Sequence, residues 1–462
     1  MITENLRQEN SLQSTLDRFF REFHLASLLS RSNCRKQSGT SAFALYRFLF
    51  SLVFHGKSFS RTLLSALHPE CGGKDAVYRF LNSPRHHWRR FLWLLSSTVV
   101  LKALWPLTDK DRRSVLVVDD SVFSRSRSKA VELLSRVHDH TTNTYVRGFR
   151  MLTLGWSDGN SLIPLAFSLL SSAKETNRFQ PSRQDLDKRS SGYRRRMEAL
   201  QKSPDVVVEL VRQAKMFRIP ARHVLFDSWF AFPSLLVRLR ALEYHVVAMV
   251  KNTPKIHYLH SGKPISLEKL YSQVSKRRRR AKILAHVDIK LPGATPENDS
   301  ARIVFVRDRN RSKQWLALIS TDLSLSDEEV VQMYGKRWDI EVFFKTVKSY
   351  LKLTGECYSR SYDALVAHTT VVFSRYILLA VEQRRAADDR TAGGIFYDCC
   401  DELDDLRFSQ ALLLILQLLR QTLSDFLVAE AIHCEFSTLW KNFFAALPSS
   451  YKVPLSISEC ET

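Results

Sequence analysis

Between Ser114 and Val250 the chain carries five apolar runs of strand length, and what separates them leaves few folds open. Ser114-Val115-Leu116-Val117-Val118-Asp119 is β-branched and ends in acid, the composition of a buried strand. Phe149 to Trp156 and Leu162 to Leu169 follow, joined by Ser157-Asp158-Gly159-Asn160. Glycine and asparagine there tolerate the positive φ of a tight turn. Three strands in succession predict an antiparallel meander. The pattern then changes: residues 183–216 are charged and then apolar-periodic, His223 to Asp227 is a fourth strand, Phe232 to Leu242 a helix, and Tyr244 to Val250 a fifth strand. Strands flanking a helix predict a parallel βαβ unit. The expected fold class is α/β, with a mixed sheet as its core.

The flanks differ from this core. Residues 1–110 read as helical, with Leu16, Phe19, Phe20 and Phe23, then Val77, Phe80 and Leu81, then Trp88, Phe91, Leu92 and Leu95 at helical spacing. Ser83-Pro84 has the form of an N-cap followed by proline at the first helical position. Arg79, Arg85, His86, His87, Arg89 and Arg90 decorate this stretch, either as a DNA-gripping face or as a solvated one. Residues 111–255 hold the first part of the core. Residues 256–322 read as a β-rich insertion, with extended pieces at Lys282 to Ile289, Ala301 to Arg307 and Gln314 to Ser320 beside the run Lys276-Arg277-Arg278-Arg279-Arg280. Residues 323–394 return to the core as helix, and 395–462 form a C-terminal helical segment.

Sixty-nine lysines and arginines against 47 acids give a formal net charge of +22. Such self-repulsion is relieved by a polyanion, most commonly nucleic acid. A membrane is not expected as a partner. The apolar runs are short, as at Ala411 to Leu416, which meets Gln417 and then Arg420, whereas a spanning helix needs about 20 apolar residues. The first residues do not read as a secretory signal. Seven scattered cysteines without a ligand spacing predict reduced thiols and a cytoplasmic location.

Asp119 and Asp227 each close an apolar run, and acids at strand ends stand where α/β folds site their chemistry. Asp120 is the rival of Asp119, since side chains alternate along a strand and only one of the two faces a given side. With Asp119 as the site residue, Asp120 and Ser121 start a turn. A third acid belongs to a helix: Tyr334, Arg337, Glu341 and Lys348 fall within an arc of about 60° on one continuous α-helix, Lys345 lies just beyond it, and Met333, Ile340, Phe344, Val347 and Leu351 form a separate apolar stripe. Alone, this is equally an amphipathic surface helix with Arg337–Glu341 and Glu341–Lys345 pairs.

Tyr334-x2-Arg337-x3-Glu341-x6-Lys348 resembles the Y-x2-R-x3-E-x6-K pattern of the IS4-type insertion-sequence transposases, and Asp119-Asp120-Ser121 and Leu225-Phe226-Asp227 resemble that family's first two acid motifs. The resemblance spans residues 114–352 and is strongest at 331–351. It implies an RNase H-like core of the DDE type. It further implies cut-and-paste transposition, in which Asp119, Asp227 and Glu341 hold two Mg²⁺ ions (Mn²⁺ may substitute) that cleave and join phosphodiester bonds. Tyr334, Arg337 and Lys348 would then grip phosphates of transposon-end DNA, with Lys345, Arg278 and Arg279 as further DNA contacts. The implied partners are double-stranded DNA, as transposon ends and target, and a second copy in a homodimeric paired-end complex. The alternatives are a catalytically inactive, transposase-derived DNA-binding protein and another RNase H-like nuclease. His138-Asp139-His140 reads as a polar hairpin tip rather than a metal cluster. Trp229, Trp315 and Trp338 are candidates to stack on an unpaired base, and Arg194-Arg195-Arg196 is a second basic run, on a helix.

Overall fold

The computed structural model describes residues 14–56, 73–109, 112–139, 142–276, 281–308, 314–385 and 391–429. Among these, residues 14–22, 54–56 and 394–429 group as one compact unit and the remainder as another. In the smaller unit, helix α1 (Thr15–Glu22) buries Leu16, Phe19 and Phe20. Its first amide donates to Glu402 of the long helix Ala392–Ala429 at 2.9 Å.

The larger unit is built on one sheet. Its strands are β1 (Val115–Ser124), β2 (Ser135–Asp139), β3 (Thr144–Ser157), β4 (Leu162–Leu170), β5 (His223–Phe226), β6 (His245–Val250), β7 (His257–His260), β8 (Lys263–Ser266), β9 (Ile283–Lys290), β10 (Ser300–Arg307) and β11 (Trp315–Ser320). They lie in the order β2-β3-β1-β5-β6-β11-β10-β9-β7-β8, with β4 on the free edge of β3. The series β4-β3-β1 is antiparallel, while β1, β5 and β6 are parallel. This is the RNase H-like mixed core expected above. The β3–β4 turn forms as expected, with Gly159 at φ 90° and Asp158 Oδ1 accepting from the amides of Asn160 and Ser161, each at 2.9 Å. All nine residues of β4 are buried, because helices cover this part of the sheet and leave no solvated face.

The β-rich stretch 256–322 joins the core sheet. β11 pairs with β6 from Ala317↔Val250 to Ser320↔Val247, so β9, β10 and β11 prolong the core sheet. The helical N-terminal stretch is likewise not separated from the sheet at residue 110. Helices α2 (Leu25–Arg31), α3 (Ala42–Ser51), α4 (Lys74–Leu81) and α5 (Trp88–Val99) belong to the same compact unit, and α5 lies against β4. Its N-cap is His87, whose Nδ1 accepts from the Arg90 amide at 3.2 Å, not Ser83. The rest of the helices are α6 (Ser191–Ala199), α7 (Ser203–Met216), α8 (Pro233–Ala241), α9 (Leu267–Gln273), α10 (Asp327–Gly335), α11 (Trp338–Ser349) and α12 (Tyr362–Arg385). Among the described residues, Trp88–Leu107 and Tyr362–Arg385 are long and apolar enough to cross a membrane by length and composition, contrary to the reading from uninterrupted runs. Residues 362–381 of the latter are buried within the protein, as the central helix of a large core is.

Some of the positive charge has an internal use. Arg195 and Arg196 are buried on α6 and hold the fully buried Asp363 at 2.6 and 2.8 Å; Arg196 also pairs with Glu132 at 2.6 Å. Arg89 donates to the Phe167 carbonyl at 2.7 Å and pairs with Glu198, while His86 is packed between Phe80 and Trp88. These residues read from the sequence as basic runs or faces, yet they are core ion pairs and ring contacts.

Candidate active site

Asp119 lies in the middle of β1 rather than at its end. The strand runs on to Ser124 because β3 pairs with it along its whole length, from Val115↔Ser157 to Ser124↔Gly148. The expected turn at Asp120 and Ser121 is therefore absent. The other neighbour is short. β5 pairs in parallel only from Val115↔His223 to Val117↔Leu225, and it ends at Phe226. That register, carried two residues further, sets Asp119 level with Asp227. The acid thus projects where its neighbouring strand has just stopped, which opens the sheet around it.

Alternation along β1 separates the two aspartates. Asp119 Oδ2 accepts from Arg337 Nη1 at 3.2 Å, whereas Asp120 pairs with Arg150 of β3 at 3.0 Å. Asp227 begins a turn, with its Oδ1 accepting from the Trp229 amide at 2.9 Å. Glu341 stands in the first turn of α11 and accepts from Nη2 of Arg337. One guanidinium therefore joins Asp119 to Glu341. Burial, above all, pushes the Asp119 carboxyl up to about 7; Arg337 opposes the rise, and the charges of Asp227 and Asp120 add to it.

The Tyr–Arg–Glu–Lys series does not lie on one continuous helix. α10 starts with a capping box between Ser326 and Glu329 and stops at Gly335; α11 starts at Trp338. Across the junction amides reach back three residues, Arg337 to Tyr334 at 3.0 Å and Ile340 to Arg337 at 3.2 Å. This tighter winding turns the chain by about 120° per residue, so the arc computed for an ideal α-helix does not apply. Tyr334 nonetheless keeps its ring 5.8 Å from the Arg337 guanidinium carbon. Lys348 Nζ donates to Ser121 Oγ at 2.5 Å, which ties α11 to β1. Lys345 is exposed on α11. Arg278, Arg279 and His140 lie outside the described residues.

Of the tryptophans, Trp229 is 43% exposed beside Asp227, and the Arg150 guanidinium lies over its ring at 5.3 Å. Trp338 is 63% exposed next to Arg337. Trp315 instead packs into a cluster with Tyr271 and Phe305, at 4.6 and 5.2 Å. Arg150 escaped the sequence reading. Its only signal was an arginine inside an apolar strand pattern, two residues before the partner of Asp120.

Asp119 on β1 and Asp227 just past the end of β5 offer hard oxygen donors, and their mutual repulsion is of the kind a divalent cation relieves. Glu341 completes an all-oxygen set, but here it is turned onto Arg337. Among the described residues, no three His, Cys, Asp or Glu side chains form a ready-made metal cage. The donor set fits a hard cation once Glu341 leaves Arg337.

Two family models match this chain. The model of the DDE superfamily endonucleases covers residues 27–311, well over half of the 462 residues and including both strand aspartates. That of the archaeal transposase ISC1217 covers residues 298–361, which include Glu341. No curated protein matches the chain. Endonucleases of this superfamily generally use divalent metal ions and act on DNA. With the mixed sheet and the matched span together, the chain belongs to the DDE superfamily of endonucleases.

Proposed function

We propose that this protein is a DNA transposase of the IS4 type, which cuts and joins phosphodiester bonds at transposon ends. The observation that carries the reading is the β1–β5 register, which sets Asp119 level with Asp227, together with the Arg337 bridge from Asp119 to Glu341. Asp119, Asp227 and Glu341 would hold two Mg²⁺ ions. When bound, such ions neutralise the scissile phosphate, activate the attacking oxygen and stabilise the leaving one.

The chain's own residues do the rest. Arg337, released from the acids, has the planar fork that grips a phosphate through two bonds. Lys348, already beside Ser121 on β1, supplies a point charge near the same edge. Tyr334 donates a hydrogen bond to a backbone phosphate, a contact that positions DNA without reading its sequence. Trp229, exposed beside Asp227, offers an aromatic face to a base displaced from the stack. Double-stranded DNA is the substrate in this reading, and two copies of the chain hold two ends together.

The test is nicking of end-containing DNA with Mg²⁺, followed by transfer of the cut 3′ end into a target plasmid. Alanine at Asp119, Asp227 or Glu341 should reduce nicking to background while DNA binding persists. Full nicking by Asp227→Ala would remove that residue from the site. Nicking without strand transfer would leave a nuclease of this superfamily and discard the transposase.

A further inference from the structure

The strands that carry the acids begin at a second, unrelated opening. Ser114 precedes β1, His223 opens β5, His245 opens β6, and Asp322 follows the antiparallel β11, so all four meet at one end of the sheet. Along β5 this end lies roughly 13 Å from Asp227, at about 3.3 Å per residue. A cleft of about 640 Å³ occupies it, lined among others by Trp105, Arg112, Arg113, Arg222, His223, His245 and Asp322. Its volume is within the range of ligand-binding pockets.

The chemistry of the lining is one-sided. Arg112, Arg113 and Arg222 are all exposed. Among the described residues of the lining, Asp322 is the single carboxylate, and it is held by its neighbours in the cleft. It meets His223 Nε2 at 2.8 Å and accepts from Ser324 Oγ at 2.6 Å and the Ser324 amide at 3.1 Å. Burial would raise its pKa, but the bonds from Ser324 and His223 outweigh that and bring it down to about 2. Arg113 also meets Glu329 at 3.1 Å, with both side chains more than two-fifths exposed, a pairing that water weakens. His223 and His245 are stacked at 5.5 Å, and the Nδ1 of the buried His223 has no hydrogen-bond partner among the described residues. Trp105 is 43% exposed at the same opening. Arginines with an accessible indole are the combination that holds a nucleic-acid backbone and stacks its base.

We propose that this cleft is a second nucleic-acid site, which takes a single-stranded DNA segment with its phosphates on Arg112, Arg113 and Arg222 and a base on Trp105. The choice of DNA over a small phosphorylated ligand rests on the family's DNA-directed activity; the binding itself does not require the acids to cleave.

The experiment uses the full chain and a fluorescein-labelled 12-mer single strand, titrated over a range of salt. Each phosphate contact contributes about 0.7 to the salt slope for a single strand. Arg112→Gln/Arg222→Gln should therefore lower the slope by about 1.4 and weaken binding at low salt by at least tenfold. Trp105→Phe, which preserves an apolar ring, should reduce the oligonucleotide-induced quenching of indole fluorescence, leaving only the share due to other exposed indoles such as Trp229. Magnesium-dependent nicking of a short duplex end should be unaltered in both variants. An unchanged salt slope and unchanged quenching overturn the proposal. So does ATP or inorganic phosphate binding as tightly as the oligonucleotide, which would assign the cleft to a small phosphorylated ligand. If wild-type nicking is absent but the slope and quenching changes occur, the cleft assignment stands and the reading of the acids fails.

Discussion

Arg337 bridges Asp119 and Glu341 with one guanidinium. In the proposed function, this single positive charge competes with a divalent ion for the two carboxylates. Removing the guanidinium should free both acids, and a charge-assisted bond is worth about 1.5–3 kcal/mol. Arg337→Ala is thus expected to bind Mn²⁺ roughly tenfold more tightly than the unaltered protein in the absence of DNA, because about 1.4 kcal/mol corresponds to a factor of ten. The same change should weaken binding to transposon-end DNA. Calorimetric titration with Mn²⁺ decides the point, and an equal or weaker metal affinity in the variant would show that arginine and ion do not compete. Such reciprocity could not be read from spacing. The sequence offered Arg337 as a phosphate ligand or as the i,i+4 partner of Glu341, whereas its contact to Asp119 depends on where β1 and α11 meet.

At the scale of elements, register and termination decide which predictions succeed. The strands leading to Asp119 and Asp227 were legible because each acid closes an apolar run, and local composition records burial. That β1 continues to Ser124 was not legible, since it follows from the length of its partner β3. The β2 strand was missed for the same reason: Ser135–Asp139 is strand because Thr144–Gly148 pairs with it. Strands 283–320 were found by their β-branched content, but nothing local states which sheet they join. The junction between α10 and α11 is the sharpest case, since Tyr334, Arg337, Glu341 and Lys348 keep their spacing while the helix between them changes its winding. The start of α10 is better specified. Ser326 and Glu329 exchange two hydrogen bonds, Ser326 amide to Glu329 Oε2 at 2.8 Å and Glu329 amide to Ser326 Oγ at 3.2 Å. Ser326→Ala removes the cap and should cost about 1 kcal/mol of stability, read as a lowered urea midpoint with an unchanged slope. A midpoint equal to that of the unaltered protein would mean that the helix start is fixed by packing alone.

The whole molecule is held by buried charge as well as by apolar contact. Arg375 of α12 donates to Glu356 at 2.7 Å and to the Phe50 carbonyl at 2.9 Å, which ties the central helix to the N-terminal helices. His368, on the same helix, gives its Nε2 to the Leu353 carbonyl at 2.9 Å. Burial, opposed by Glu356, lowers its pKa to about 4, and burial likewise lowers that of His86 to about 4. The unfolded chain takes up these protons near the ordinary histidine value of about 6.5, while the folded protein does so only near 4. Their contribution is therefore fully present above about 6.5 and is lost as pH falls towards 4. Asp119 acts in the opposite sense over part of this window, because its folded pKa of about 7 lets the native state take up a proton that the unfolded chain does not bind until about 4. Burial lowers His87 to about 4 as well, so three histidines against one aspartate leave a net loss on acidification from these groups, at a slope of roughly 2 kcal/mol per pH unit between 6 and 5. His368→Gln retains an amide that can donate to the Leu353 carbonyl and removes one of the three titrating histidines, so its stability should fall only about half as steeply between pH 6 and 5. Urea unfolding at those two pH values, for the unaltered protein and for this variant, tests the assignment. Equal acid sensitivity in both would place the proton uptake elsewhere than on α12.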